Sequence, residues 1–390
     1  MKTGQKLGAA LVLVLAASAA LMGQTTTPPT QTFSATVYLD YRYYLSSAGP
    51  LTLKPTDPTV PYINNQFVFR RAYFTYENKI NDFLTFRFRL DADNTANVTG
   101  VSLTGTPVSG VSLSKDDKLR PFLKNLYVQW SNFLLPDWVL RVGMEETLTF
   151  KIAEDKWGYR SVAKTITDNF KDITGTDIRA TSADIGVSLQ GSPVKFLRYG
   201  LQVVNGAGYS HLANDAYKKI EGNLQIIPLA GLSVVGYMDI ERQQYKANPL
   251  ALTQPMAYTY KIDGFFEMVK GLLIGGEWFN YRNDLNQAVN PVTEAEEKYN
   301  VAGWSVFGHY TLVQDKLNAF ARYDSYEPNS LNRAKDVDLA ILGLDWAPIH
   351  SSLKLQPNIW IYNYKNGTLY NSHATSNTDV VFNMTFFLSF

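Results

Sequence analysis

The chain has no cysteine. That excludes a disulfide framework, a thiolate metal site and an acylated cysteine after a leader. Histidine is nearly as scarce: His211, His309, His350 and His373 are all there are, and none stands at metal-ligand spacing from another. No nucleophile and base can be paired, so the sequence reads as no enzyme, with no metal and no cofactor. A glycine-rich nucleotide loop is also missing. Neither sign of charge dominates, with 36 Lys and Arg against 35 Asp and Glu, two of the 36 lying in the first six residues. Net charge therefore calls for no nucleic acid and no acidic partner. Beyond residue 23 no run approaches the roughly 20 apolar residues of a membrane-spanning helix.

The N-terminus supplies what later segments do not. MKTGQK, the apolar run LGAALVLVLAASAALM and small residues at Ala20 and Gly23 form the basic, hydrophobic and cleavage regions of a secretory leader. Residues 1–23 are read as a cleaved signal peptide and the polar, proline-containing 24–32 as a flexible lead. Aromatic residues are plentiful, with 24 Tyr, 21 Phe and 7 Trp. Many fall near the ends of predicted strands, as interfacial girdles do; Trp130, Trp138, Trp278, Trp304, Trp346 and Trp360 are read this way.

From Phe67 to Asp93 polarity alternates strictly around a turn, which predicts a hairpin. In its second half Leu84, Phe86, Phe88 and Leu90 take one face, and Thr85, Arg87, Arg89 and Asp91 the other. Sixteen such strands are predicted at 33–45, 65–78, 83–93, 121–132, 138–144, 181–190, 197–206, 216–227, 231–242, 257–269, 271–282, 300–311, 315–325, 335–346, 352–364 and 379–390. Their connections alternate between short turns, such as 78–82 and 134–137, and long polar segments: 46–64, 94–120, 145–180, 207–215, 243–256, 283–299, 326–334 and 365–378. Short turns at one end and long loops at the other predict an all-β transmembrane antiparallel barrel over 33–390, in the bacterial outer membrane. Closure pairs every backbone group in hydrocarbon, and about sixteen strands enclose water rather than a side-chain core.

Alternation assigns faces. Leu126, Val128, Ile185, Val187, Val234, Met238, Phe382, Met384, Phe386 and Leu388 point to lipid; Arg71, Arg141, Arg198, Lys219, Glu221, Asp239, Lys261, Asp263, Glu277, Arg322, Asp324 and Lys354 point to the lumen. The segments 271–282, 300–311 and 335–346 alternate too poorly to be assigned.

The segment FVFRRAYFTYENKINDFLTFRFRLDADN resembles the early hairpin of the phosphate-selective porin O and P family. The last strand, DVVFNMTFFLSF ending at Phe390, resembles the terminal assembly signal of many outer-membrane barrels, which implies the barrel-assembly machinery as a partner. The family resemblance covers about residues 65–180 and implies a sixteen-stranded diffusion channel, usually a homotrimer, whose third external loop folds into the lumen. Here the third long connection, 145–180, is the longest. No coiled-coil extension precedes the barrel, and a full arginine ladder or lysine cluster does not align.

Within 145–180, Lys156, Arg160 and Lys164 recur every four residues, which on a helix sets them on one face as a basic collar. Arg71, Arg87, Arg89 and Arg141, with Asp91, are expected on one stretch of wall. Such arginines bias a pore toward anions. Acidic neighbours at Glu145, Glu146, Glu154, Asp155, Asp168 and Asp172 keep the alternative of a neutralised, unselective pore open. The predicted function is passive diffusion of small hydrophilic solutes, with a phosphate-like anion preference. The other reading is a plugged or structural barrel binding partners through its external loops.

Overall fold

A computed structural model describes residues 28–46, 65–93, 97–104, 110–116, 120–170, 178–211, 216–242, 256–283, 299–329, 336–365 and 377–390. The barrel strands in chain order are β1 (Thr30–Ser46), β2 (Asn65–Lys79), β3 (Leu84–Asp93), β6 (Arg120–Ser131), β7 (Val139–Glu146), β8 (Ala183–Val194), β9 (Leu197–Val204), β10 (Lys219–Leu229), β11 (Leu232–Arg242), β12 (Met256–Phe266), β13 (Leu272–Asn283), β14 (Tyr299–Val313), β15 (Leu317–Glu327), β16 (Val337–Trp346), β17 (Leu353–Tyr364) and β18 (Thr378–Ser389). Every neighbour is antiparallel, and β1 pairs with both β2 and β18, so the sixteen strands close. Closure is completed past the last strand, where Ala35 N–H donates to Phe390 O at 2.6 Å and Phe390 N–H to Ala35 O at 3.0 Å.

Two expectations on chain organisation change. The connection 94–120 is not all loop, because β4 (Asn97–Thr104) and β5 (Gly110–Asp116) pair as a separate two-stranded sheet. VTGVSL and GVSLSK carry β-branched residues around Gly110, enough for a short hairpin. The segment 24–32 is not wholly a lead either: β1 begins at Thr30, opposite Lys79, because the partner strand is long enough to template it. The leader and residues 24–27 lie outside the described residues.

The outer face follows alternation. Leu126, Val128, Ile185, Val187, Val234 and Met238 are exposed, while Lys219, Glu221, Asp239, Lys261, Asp263, Glu277, Arg322 and Asp324 are buried on the opposite face. Hydrocarbon explains the sorting, since an Arg or Lys at mid-depth on the outer face costs about 2–4 kcal/mol.

The poorly alternating segments are resolved by exposure. Trp278 and Trp304, opposite each other in register, are 45% and 44% exposed, whereas their neighbours Glu277 and Ser305 are 3% and 1% exposed. On this wall the inward positions are themselves apolar: Phe279, Val301, Phe307, Phe320, Leu339 and Ile341 are buried in one cluster with Trp157, Val162, Ile166 and Phe170. Strands apolar on both faces lose the period-2 signal. The cause is the segment after β7, which covers them from inside.

One backbone irregularity sets up the lumen. Between β1 and β2 the register steps from Tyr38↔Arg71 to Leu39↔Phe69, leaving Arg70 as an extra residue. Consecutive strand residues point to opposite faces, so the pair Arg70-Arg71 would send one guanidinium into lipid. The bulge turns both inward. Arg70 then reaches Asp40 at 2.6 Å, and Arg71 reaches Asp91 at 3.4 Å.

Candidate functional site: the lumen and its internal segment

Leaving β7 at Glu146, the chain is tied to the wall residue by residue. Leu148 N–H donates to Glu221 Oε2 on β10 at 3.1 Å, and Thr149 Oγ1 to Tyr237 Oη on β11 at 2.6 Å. Helix α1 (Lys151–Trp157) follows and stops at Gly158, whose φ of 71° is left-handed and whose N–H closes onto Glu154 O at 3.0 Å. Beyond it Ser161 Oγ donates to Gln356 on β17, Arg70 on β2 donates to Val162 O, and Arg322 on β15 donates to Lys164 O. The short helix α2 (Ile166–Asn169) comes next. A segment bonded to strands on so many sides of a closed ring runs inside it.

Trp157 anchors the segment. It is fully buried, with Tyr159, Phe307 and Phe320 edge-on at 5.3, 5.5 and 5.9 Å between ring centres. Its Nε1–H donates to Ala163 O at 2.9 Å, and the Arg322 guanidinium stands 5.3 Å from its ring centre. Gly303 makes room nearby: a Cβ there would sit 2.7 Å from the Phe279 ring and 3.0 Å from Ile166 Cδ1.

Lys156, Arg160 and Lys164 do not share a helix face, which corrects the predicted collar. Gly158 ends α1 after Lys156; Arg160 lies in a turn and Lys164 outside any helix or strand. Each meets a carboxylate. Lys156 pairs with Glu267; Arg160 with Glu154 at 3.2 Å and Asp168 at 3.6 Å; Lys164 with Asp168 at 3.4 Å. Burial alone would lower the Arg160 pKa, but Glu154, Tyr73 and Asp168 hold it well above its ordinary value. Burial would raise that of Asp168, yet Lys164 and Arg160 hold its carboxyl below the usual carboxylate range. The cluster is a mutually neutralised latch.

Arg71, Arg87, Arg89 and Arg141 do share one wall, since β2, β3, β6 and β7 are consecutive neighbours. Arg71 pairs with Asp91 and with Asp93 at 3.1 Å. Asp91 is fully buried beneath it, so it backs the guanidinium instead of meeting water. Arg89 donates to Thr75 Oγ1 at 2.9 Å and lies 5.3 Å from the Tyr73 ring centre. Arg87 donates to Tyr127 Oη at 3.2 Å and faces Glu146 at 3.6 Å. Arg141 donates to Gln129 at 2.8 Å, with Glu146 at 3.8 Å. Arg198 on β9 is exposed to the lumen. Following the register, these residues descend from the long-loop end at Arg71 to the turn end at Arg198, opposite the wall on which the apolar side of the internal segment packs. Asp91 and Asp93 are both engaged by Arg71, and no group of three or more possible metal ligands occurs among the described residues.

No family model matches the chain, and no curated protein matches it. Solved structures do. OmpT of Vibrio cholerae superposes with a TM-score of 0.56 at 12% identity, over 94% of this chain and 99% of that one. The outer-membrane channel DcaP of Acinetobacter baumannii gives 0.57 at 11%, over 94% and 99%; the anion-selective porin of Comamonas acidovorans gives 0.57 at 10%, over 93% and 100%. The chain has the porin fold. At these identities the likeness extends to architecture and not to side chains.

Three contributors to the lumen escape sequence reading. Arg70 and Asp40 are brought together by the bulge, for which the adjacent arginines were the available signal. Lys124, buried on β6, lies 3.4 Å from the Tyr209 ring centre and donates to Ser182 Oγ at 2.6 Å. Trp157, alone among the seven tryptophans in a long connection, had that isolation as its signal.

Proposed function

We propose that the mature chain is an outer-membrane channel for passive diffusion of small hydrophilic solutes, with a preference for small anions. The observation that carries this reading is the division of the inner wall. The internal segment packs its apolar side on β13–β16, and the remaining wall carries Arg71, Arg89, Arg87, Arg141 and Arg198 in descending order. Guanidinium forks replace part of an anion's hydration shell without a covalent step. Small anions and other small hydrophilic solutes are the cargo, and outer-membrane lipid meets the apolar band. Assembly as a homotrimer is part of the proposal, supported by a similar Vibrio cholerae OmpT structure described as a trimer form.

The test is reversal potential in a planar bilayer under a KCl gradient, with refolded mature protein. Open steps with an anion-leaning potential are expected. A cation-leaning potential would overturn the preference, and no steps from demonstrably folded barrel would favour the plugged, surface-binding alternative.

A further inference from the structure

Below the internal segment, between α1 and the wall of β8–β11, lie two cavities of about 350 and 300 Å³ that share Ile152, Asp155, Arg198 and Gln225. Their polar groups divide sharply. On α1, Lys151 and Asp155 satisfy each other, Nζ to Oδ1 at 2.6 Å. On the wall, Arg141 is matched by Glu146 and Gln129. The side chains of Arg198, Gln190, Asn223 and Gln225 make no hydrogen bond or ion pair with any other described residue. All four occupy inward positions of β8, β9 and β10, with Arg198 directly opposite Gln225 in register and Asn223 one inward step away. Elsewhere in the described lumen nearly every cation has an acidic partner. Here a guanidinium and three primary amides stand together without partners. Asp137, at the rim in the β6–β7 turn, has no cation partner among the described residues either, so the larger cavity has its unmatched cation on the wall at Arg198 and its unmatched carboxylate at the rim.

We infer that this vestibule is a binding subsite for a small monocarboxylate bearing several hydroxyl groups, a sugar acid of the gluconate type. This deepens the channel reading and rests on it for its physiological meaning. One unmatched guanidinium balances one negative charge, and its planar fork fits a carboxylate through two parallel N–H···O bonds. A phosphate dianion would leave its second charge uncompensated in a cavity whose rim already carries the unmatched Asp137. The amides offer donors and acceptors in the mixed pattern that vicinal hydroxyls need, which simple halide or acetate passage does not. A volume near the lower end for small-molecule sites suits a six-carbon chain.

The experiment uses the full mature protein refolded in detergent, its barrel verified by heat-modifiable migration. Binding of gluconate is followed by ligand-observed saturation-transfer NMR, against sorbitol, acetate and inorganic phosphate. Gluconate is expected to give the strongest signal, and Arg198→Gln to weaken its affinity about tenfold or more, the loss for one charged hydrogen-bonded contact. Asn223→Leu should reduce the preference for gluconate over acetate, while Lys316→Gln, in a turn on the far wall, should change nothing. Equal signals from gluconate and acetate, competition by phosphate at equal concentration, or an unaffected Arg198→Gln protein would each overturn the assignment. Single-channel recording separates the two readings. Open KCl steps with no gluconate signal would remove the subsite and leave the channel; gluconate binding without open steps would do the reverse.

Discussion

Replacing Trp157 by alanine removes the residue on which the internal segment is seated. The ring is fully buried against Tyr159, Phe307 and Phe320, covers the Arg322 guanidinium, and satisfies Ala163 O. Truncating a buried aromatic to alanine costs about 3–5 kcal/mol, cavity included. The strand ladder has no part in these contacts, so the loss falls on docking of 147–170 and not on the barrel. At about 1.4 kcal/mol per factor of ten, the ratio of docked to undocked segment drops by two to three orders of magnitude. Trp157→Ala is therefore expected to keep its heat-modifiable migration while its single-channel conductance becomes larger and noisier. The bond following Lys156 should also become open to trypsin. Unchanged conductance, noise and protection together would refute the claim that this ring holds the segment.

Gly303→Leu should act in the same direction by pushing Ile166 off the wall, since even a Cβ there meets Ile166 Cδ1 at 3.0 Å; conductance noise reads it. Because the folded pKa of Asp168 is lowered, its stabilisation of the latch is fully present above the ordinary carboxylate range near pH 4 and is lost as pH falls through the folded value. Channel noise should accordingly rise only below about pH 4, and Asp168→Asn should be noisy already at neutral pH with that acid step removed. Arg87→Gln with Arg141→Gln should shift the reversal potential toward cations; replacing Lys156, Arg160 and Lys164 by Glu should shift it too, through the collapse of their ion pairs. Phe390→Ser should lower the amount of assembled barrel in cells while leaving refolded stability nearly unchanged, because the exposed Phe390 side chain adds little to a seam closed by its backbone bonds to Ala35.

The strand order, the closure and the facing of most side chains were legible because hydrocarbon enforces alternation at nearly every outward position, as at Leu126, Val128, Val234 and Met238. Where a second apolar surface arrives from inside, that rule has nothing to read. Phe279, Phe307, Leu339 and Ile341 look like lipid-facing residues in sequence, and only the docking of Trp157 and Ile166 gives them an inner partner. Local spacing misled for a different reason. Lys156, Arg160 and Lys164 fit a helical face, but Gly158 interrupts the helix between the first two, and a left-handed φ at that glycine redirects the chain toward β17 and β2.

Charge selectivity belongs to the wall and not to the loop. A basic residue acts on a passing ion through the field left after its own partners are counted. The three loop cations sit against Glu267, Glu154 and Asp168, so their net field is small and their role is to hold the segment. Arg87 and Arg141 share the carboxylate of Glu146 at 3.6 and 3.8 Å, the half-exposed Glu77 lies 3.9 Å from Arg87, and Arg198 has no acidic partner among the described residues, so three guanidinium groups face two carboxylates. Positive charge therefore accumulates on β3, β7 and β9, toward the turn end of the barrel, and not on the loop. Substitutions on that wall should move selectivity at constant pore size, whereas substitutions in the latch should move pore size first.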